Sequence, residues 1–439
     1  MKNLSILTLL FVFIFNSIYS QTNQFDYKRS SMHLVLIESE TFPKKDLVIK
    51  AWNGYPFPEN YNNHTVDSKS FNPSKYSVTD AERDAAGIKK SNETGKAVAG
   101  VMSDVSGGIL GSNDPDMPVK IQKFINETKL ANQLVAKWFN RTKEGKLDFK
   151  YIELRSKESA SEEIKTANVK VGDFNESIYD EELIGGTFVV FNKLTFVENE
   201  PVARAVRDAA ITQASKISME MLRNKAVETA NKAYEIGKVG YSVWTKVYLY
   251  QLVWNDQVAD SFKKTFLKEG DPTFGAKDWE NSDLFKLKFI GDENTSSLVT
   301  FSLKEKRTEE KIIELSTIRN IDNVFSKLQR KYLVFRPVTP ISSIDPITAK
   351  IGLKEGIEAG DKFEVLKRTK DKKTNKPIYE SIATVKVDKG VPIFDNLYRP
   401  AGEPKVDDAG NPIVGPGYTT FSGGNKNVKP LQHFLRLLN

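Results

Sequence analysis

The chain has 439 residues, 39% of them hydrophobic and 28% charged, which excludes a wholly disordered or membrane-embedded composition and leaves room for two or three domains. Its formal charge is +7, from 64 basic and 57 acidic side chains; the two signs are interspersed, as in "KRTKDKKTNKPIYE", which describes a mixed surface and argues against nucleic acid as a partner. Cysteine is absent, which rules out a disulfide framework, a lipid-anchoring cysteine and a thiol nucleophile.

Along the chain, "MKNLSILTLLFVFIFNSIYSQ" has a cationic start at Lys2, an apolar run from Leu4 to Phe15 and small Ser20 before Gln21. We read residues 1–20 as a secretory signal peptide, its apolar part too short to stay as a membrane span. The expectation is an exported, periplasmic protein, with association to the outer membrane left open. Residues 21–115 are expected to form an N-terminal strand followed by a polar loop or linker region. In it "MHLVLI" (32–37) is a short buried strand, and "NGYPFPENYNNH" is a loop broken by Pro56 and Pro58. From Val66 to Asp116 the residues become polar and small, a flexible insertion with a short helix around "VTDAERDAAG".

Residues 116–336 are expected to form an α/β domain. Asp116 would cap a helix whose Ile121, Phe124, Ala131, Leu134, Val135 and Trp138 share one face, with Pro118 tolerated in the first turn. "DFKYIELR" (148–155) reads as a strand, "SASEEIKTANVK" as a short helix, "YDEELIGG" as a helical turn and "GTFVVFNK" (186–193) as a strand. A long helix is expected from Pro201 to about Lys238, stopped by Gly237 and Gly240. "YSVWTKVYLYQLVW" (241–254) is apolar on both alternating faces and predicts a central strand. "LFKLKFIGDENTSSLVTFSL" (284–303) predicts a hairpin turning at "GDEN". A helix over 308–335 carries Leu315, Ile318, Ile321, Phe325, Leu328 and Tyr332 at steps of three and four. After Pro337 and Pro340 the period drops to two. Short strands at "ITAKIGL", "DKFEVLKR", "ESIATVKV" and "GYTTFSG" make residues 337–439 a small β-barrel domain. The fold class is therefore α+β: a mixed α/β sandwich domain with long helices, followed by a small C-terminal β-barrel.

Chemistry-bearing motifs are sparse. Gly352, Gly356 and Gly360 in "IGLKEGIEAGDKFEVLKR" lack dinucleotide-loop spacing and precede a strand, so they predict a glycine turn between strands. His33 lies in an apolar strand, His64 in a polar loop and His433 near the end, with no zinc-site spacing and no cysteine beside them. Asp114 and Asp116 are too few for a calcium loop and read as a loop residue and a helix cap. Asp180, Glu181 and Glu182 read as a solvated helix entrance, although paired carboxylates leave glycoside-type hydrolysis open. Trp244, Tyr248, Tyr250 and Trp254 read as core rather than as a stacking platform. We assign no catalytic, cofactor-binding or metal residues, and expect no cofactor.

The element order from about 117 to 335 resembles the periplasmic α/β domain shared by the curli-export pore protein and flagellar assembly protein T, with Arg155 and "LIGGTFVVF" at the matching positions. "GLKEGIEAGDKFEVLKR" resembles the C-terminal β-domain of the same flagellar protein through Gly360–Asp361. "LVAKWFN", "ELIGGTFV" and "AKIGLKEG" look like segments of exported Gram-negative envelope proteins of unknown function. The chain departs from the pore family in lacking an anchor cysteine and evident paired membrane strands. The resemblance implies a scaffold or assembly role in the cell envelope, with no catalytic residues to carry over. The leading expectation is an exported, non-catalytic scaffold or binding protein whose partner is a protein or other envelope component. The alternative is a carboxylate-dependent hydrolase of a glycan or peptide.

Overall fold

Apolar runs with period two build one mixed sheet. Strand β1 (Ser30–Ile37) buries Met32, Val35 and Ile37 and pairs in parallel with β2 (Tyr61–Asn63), β3 (Ser70–Phe71) and β4 (Thr187–Glu198). Strand β4 runs antiparallel to β5 (Tyr241–Leu252), and β5 antiparallel to β6 (Leu287–Val299), giving the order β2–β1–β4–β5–β6 with β3 also on β1. The computed structural model describes residues 30–88, 114–149, 152, 183–239, 241–267, 278–299, 308–373, 377–399, 415–424, 428–430 and 432–438. The expected signal peptide, the 153–182 segment with Asp180, Glu181, Glu182 and Arg155, and the "SASEEIKTANVK" helix lie outside those residues.

Helices cover both faces of the sheet because the central strands β4 and β5 are apolar on both. Val189 and Phe191 of β4 join Tyr248 and Tyr250 of β5 in a core with α3 (Met117–Glu127), α4 (Leu130–Trp138) and α7 (Asp256–Phe266). Phe188 and Val190, of opposite parity, join Val243 and Val247 in a second core with α1 (Lys45–Asn53) and α8 (Glu309–Lys331). Each fully buried large side chain here contributes about 1.5–3 kcal/mol, so these two cores, and not exposed ion pairs such as Lys50–Glu310, hold the sheet together.

The C-terminal strands close on themselves. They are β7 (Thr339–Ile344), β8 (Ile347–Ala349), β9 (Lys362–Lys370), β10 (Pro377–Val387), β11 (Thr419–Gly423) and β12 (His433–Leu437). They form a closed antiparallel barrel in the order β10–β11–β8–β7–β12–β9 around Ile341, Phe363, Val365, Val385, Phe421 and Leu435. Closure leaves no sheet edge to pair with another chain. The expected α+β class, with its C-terminal barrel, is the class observed.

Several local expectations are corrected. The amphipathic run after Asp116 is two helices, because Lys129 adopts a left-handed φ of 49° between α3 and α4. Asp116 makes no side-chain cap; its carboxylate holds Arg83, whose Nε and Nη2 donate to it at 2.9 and 2.7 Å. Residues 66–88 do not form a loose linker: Phe71 is fully buried and Tyr76 packs beside it, while the expected short helix is present as α2 (Asp80–Ala85), with a Thr79–Glu82 capping box; residues 89–113 of the expected insertion lie outside the described residues. Of the strand expected over 148–155, residues 150, 151 and 153–155 lie outside the described residues, and Phe149 and Ile152 pack into the core without belonging to a strand. The long helix after Pro201 is a hairpin, α5 (Asn199–Ala214) and α6 (Glu220–Gly237). The expected 284–303 hairpin is the single strand β6, paired to β5 through "GDEN" with one bulge at Leu249/Tyr250. Gly291 within it serves packing, not a turn: a Cβ there would sit 2.0 Å from Tyr332 Oη.

Candidate functional site

The three histidines occupy structural positions. His33 is buried on β1; its Nε2 donates to Ser68 O at 2.8 Å and its Nδ1 accepts from Val66 N at 3.3 Å, which fixes a neutral tautomer and occupies both ring nitrogens. Burial, resisting the charged form, holds its pKa down to about 4. His64 Nε2 donates to Leu134 O at 2.9 Å and the ring stacks on Trp138. His433, on β12, accepts from Lys429 N through Nδ1. Asp114 pairs with Lys120 at 2.8 Å. Tyr248 and Tyr250 lie in the core and Trp254 packs against it, as expected of an aromatic strand, whereas Trp244 is only half-buried. Among the described residues no group of three or more His, Asp or Glu side chains is arranged to hold a metal ion.

Two acids that the sequence does not single out meet where α8 receives the barrel. Asp322 projects from α8 and is 2% exposed; Glu355 lies on the short turn Leu353–Glu355 after β8 and is 7% exposed. Tyr55 donates to Asp322 Oδ1 at 2.8 Å, while Lys354 Nζ stands 3.8 Å from that same oxygen. Asp322 Oδ2 has no hydrogen-bond partner among the described residues, and burial pushes this carboxyl up to about 6. Glu355 is held differently. Asn60 Nδ2 donates to Oε1 at 2.8 Å, while Asn396 Nδ2 and Gly352 N donate to Oε2 at 2.9 and 2.8 Å. Burial still raises its pKa, against the pull of those donors.

Gly352, Gly356 and Gly360 belong to this seam. Gly356 and Gly360 have φ of 67° and 88°, as the turn reading requires. Gly356 O accepts from Arg330 of α8, and Arg330 Nη2 donates to Asp361 Oδ2 at 2.6 Å. Side chains are excluded as well: a Cβ at Gly356 would sit 1.9 Å from Ser326 Oγ, and one at Gly352 would sit 2.1 Å from Phe394 O. Arg336 completes the joint, donating to Gln329 O, Arg330 O and, across the joint, Leu437 O. The arrangement fixes the barrel turn on α8 by shape and hydrogen bonding. Chemically it offers one buried acid at Asp322, its pKa raised to about 6 by burial, with its second oxygen unused among the described residues.

The second feature is an arm. Strands β4 and β5 stay paired up to Glu198↔Tyr241, so the α5–α6 hairpin stands in place of a β-turn. Its base is clasped: Ser242 Oγ donates to Asn199 Oδ1 at 2.6 Å, Tyr234 Oη donates to Glu200 at 2.9 Å, and Arg207 lies over the Tyr234 ring. Alanine-rich faces let the helices approach, so that a Cβ added at Gly237 would lie 3.8 Å from Ala203 Cβ. Among the described side chains of the two helices only Asn199, Ala214 and Ala230 are buried. Six of the thirteen large apolar side chains exposed among the described residues lie on this arm: Val206, Met219, Met221, Leu222, Ile236 and Val239. An apolar groove of about 240 Å³ runs between its helices, walled by Ala203, Val206, Ala210, Ala233 and Tyr234. The helix expectation at 201–238 located these residues but not their exposure; the break at "SKISM", where Ser215 and Ser218 interrupt the helix formers, was the available signal.

No helix among the described residues is long and apolar enough to cross a membrane. No protein-family model matches the chain, and no curated protein matches it.

Proposed function

We propose that the chain is an exported, non-catalytic scaffold or binding protein of the cell envelope, in which sheet and barrel form a fixed base and the α5–α6 arm engages the partner. The observation that carries this reading is the concentration of exposed apolar side chains on an arm in which only three described side chains are buried. A two-helix hairpin that leaves its large apolar side chains exposed gains only part of the burial open to it, and a partner covering it would supply the rest. The leader-like residues 1–20 and the resemblance to envelope assembly domains support the location and the role.

The test is photocrosslinking in intact cells from Met221 on the arm and from Glu380 on the barrel. The reading predicts a discrete crosslinked species from Met221 and none from Glu380. Crosslinks from the barrel alone would refute it.

The hydrolase reading finds its support in Asp322, whose raised pKa suits a general acid, with Glu355 nearby in the same seam. Against it, both carboxyls are buried and Glu355 is committed to three fixed donors. Release of product from cell-wall glycan or peptide, abolished by Asp322→Asn and Glu355→Gln in folded protein, would establish that reading over the scaffold.

A further inference from the structure

We infer that the tip of the α5–α6 arm docks on a lipid surface that displays anionic headgroups; this rests on the reading of α5–α6 as the docking arm. Met219, Met221 and Leu222, at the start of α6, are 56%, 71% and 47% exposed. They are flexible, unbranched or γ-branched side chains at the end of a hairpin. A fluid interface accepts such chains in many rotamers, whereas a protein partner would need a matching concavity.

The charge distribution points the same way. Along the shafts of the arm, cations are matched by acids: Glu200 with Arg204, Arg207 with Asp208, Glu228 with Lys232 and Glu235 with Lys238. The segment 216–225 breaks that balance, carrying Lys216, Arg223 and Lys225 against Glu220 alone. Apolar side chains flanked by surplus cations are the combination that partitions into the headgroup region of an anionic bilayer. The groove between the helices, walled by small side chains, is the competing surface, and its occupant would be a second copy of the arm.

The experiment is cosedimentation of the purified chain with vesicles of phosphatidylcholine alone and of phosphatidylcholine mixed with phosphatidylglycerol. Wild type is expected to sediment with the mixed vesicles and to lose about tenfold in partitioning in high salt. Met219→Ser/Met221→Ser/Leu222→Ser and Lys216→Gln/Arg223→Gln/Lys225→Gln are each expected to weaken binding about tenfold or more, with unchanged circular dichroism. Absence of sedimentation with the mixed vesicles, or binding that both variants retain, overturns the inference. Concentration-dependent dimers abolished by Ala210→Glu, in a chain that ignores vesicles, assign the arm to self-association and overturn it too. If the chain ignores vesicles while Met221 still crosslinks to a protein in cells, the docking arm stands and its lipid partner falls. If Met221 gives neither, both fall.

Discussion

His33 and Asp322 titrate in opposite senses. Burial holds the His33 imidazole neutral down to about pH 4, below its ordinary 6.5, so its contribution to stability is full above 6.5 and is lost as pH falls toward 4. Burial holds Asp322 protonated up to about 6, above the ordinary 3.8, so its contribution is full below 3.8 and is lost as pH rises through 6. Between pH 5 and 7 the two slopes partly cancel, each being on the order of 1–2 kcal/mol. Asp322→Asn removes one of them while keeping an acceptor for Tyr55. The variant should gain about 1 kcal/mol relative to wild type on going from pH 5 to pH 7, measured by urea unfolding at both values. In an NMR titration the His33 ring should stay neutral throughout that range and titrate near pH 4. A ring titrating near 6.5 would show that the Ser68 and Val66 bonds do not hold it. Of these two residues, His33 was legible in the sequence as a core histidine because its neighbours in "MHLVLI" are apolar. Asp322 was not, since it looks like any polar helix position until Tyr55 and the Lys354–Glu355 turn are folded against it.

Elements were legible where a single period persists and misjudged where a residue has two possible uses. "GDEN" has the composition of a turn, yet β5 offers a partner along almost the whole of 287–299, and pairing the backbone groups that face β5 outweighs a local turn preference. Gly291 is then required by Tyr332, not by backbone angle. Gly291→Ala should destabilise the protein by about 1–3 kcal/mol through overpacking. A double-mutant cycle with Tyr332→Ala, read by thermal unfolding, should recover a large part of that loss. Equal losses in both backgrounds would mean that the ring does not set the constraint. The same ambiguity divided the helices: a continuous amphipathic pattern cannot reveal that Lys129 turns left-handed, nor that the helix formers on either side of "SKISM" fold back on each other. The short strands β2 and β3, at two or three residues, fall below any pattern a sequence carries.

At the scale of the whole molecule, the joint between α8 and the barrel decides whether the two parts behave as one. Arg336 is 5% exposed, and burial lowers its pKa below the usual arginine range, yet three carbonyl oxygens receive its guanidinium. Leaving such buried carbonyl oxygens without their donor costs about 1–3 kcal/mol, more than an ordinary surface change. Calorimetry of wild type should show one cooperative transition. Arg336→Ala should lower it and separate a barrel transition from that of the α/β sheet. A single, uniformly shifted transition in the variant would show that the joint does not couple them. The arm lies outside this economy: because β4 and β5 remain paired to Glu198↔Tyr241, replacing 200–239 with a short glycine-containing turn should change the midpoint by only a few degrees, on the scale of ~1 kcal/mol.

The sequence by itself determined the alternation of periods. Strands with two apolar faces demand helices on both sides, and a final run of short alternating segments rich in turn residues closes into a barrel, because burial patterning acts residue by residue along the chain. What only the tertiary structure decided is which polar groups meet and which apolar groups stay uncovered. Asp322 beside Tyr55 and Lys354, Arg330 on the Gly356 turn and the bare methionines of the arm each depend on segments brought together, or left apart, across long sequence separations. Local propensity holds no record of those separations.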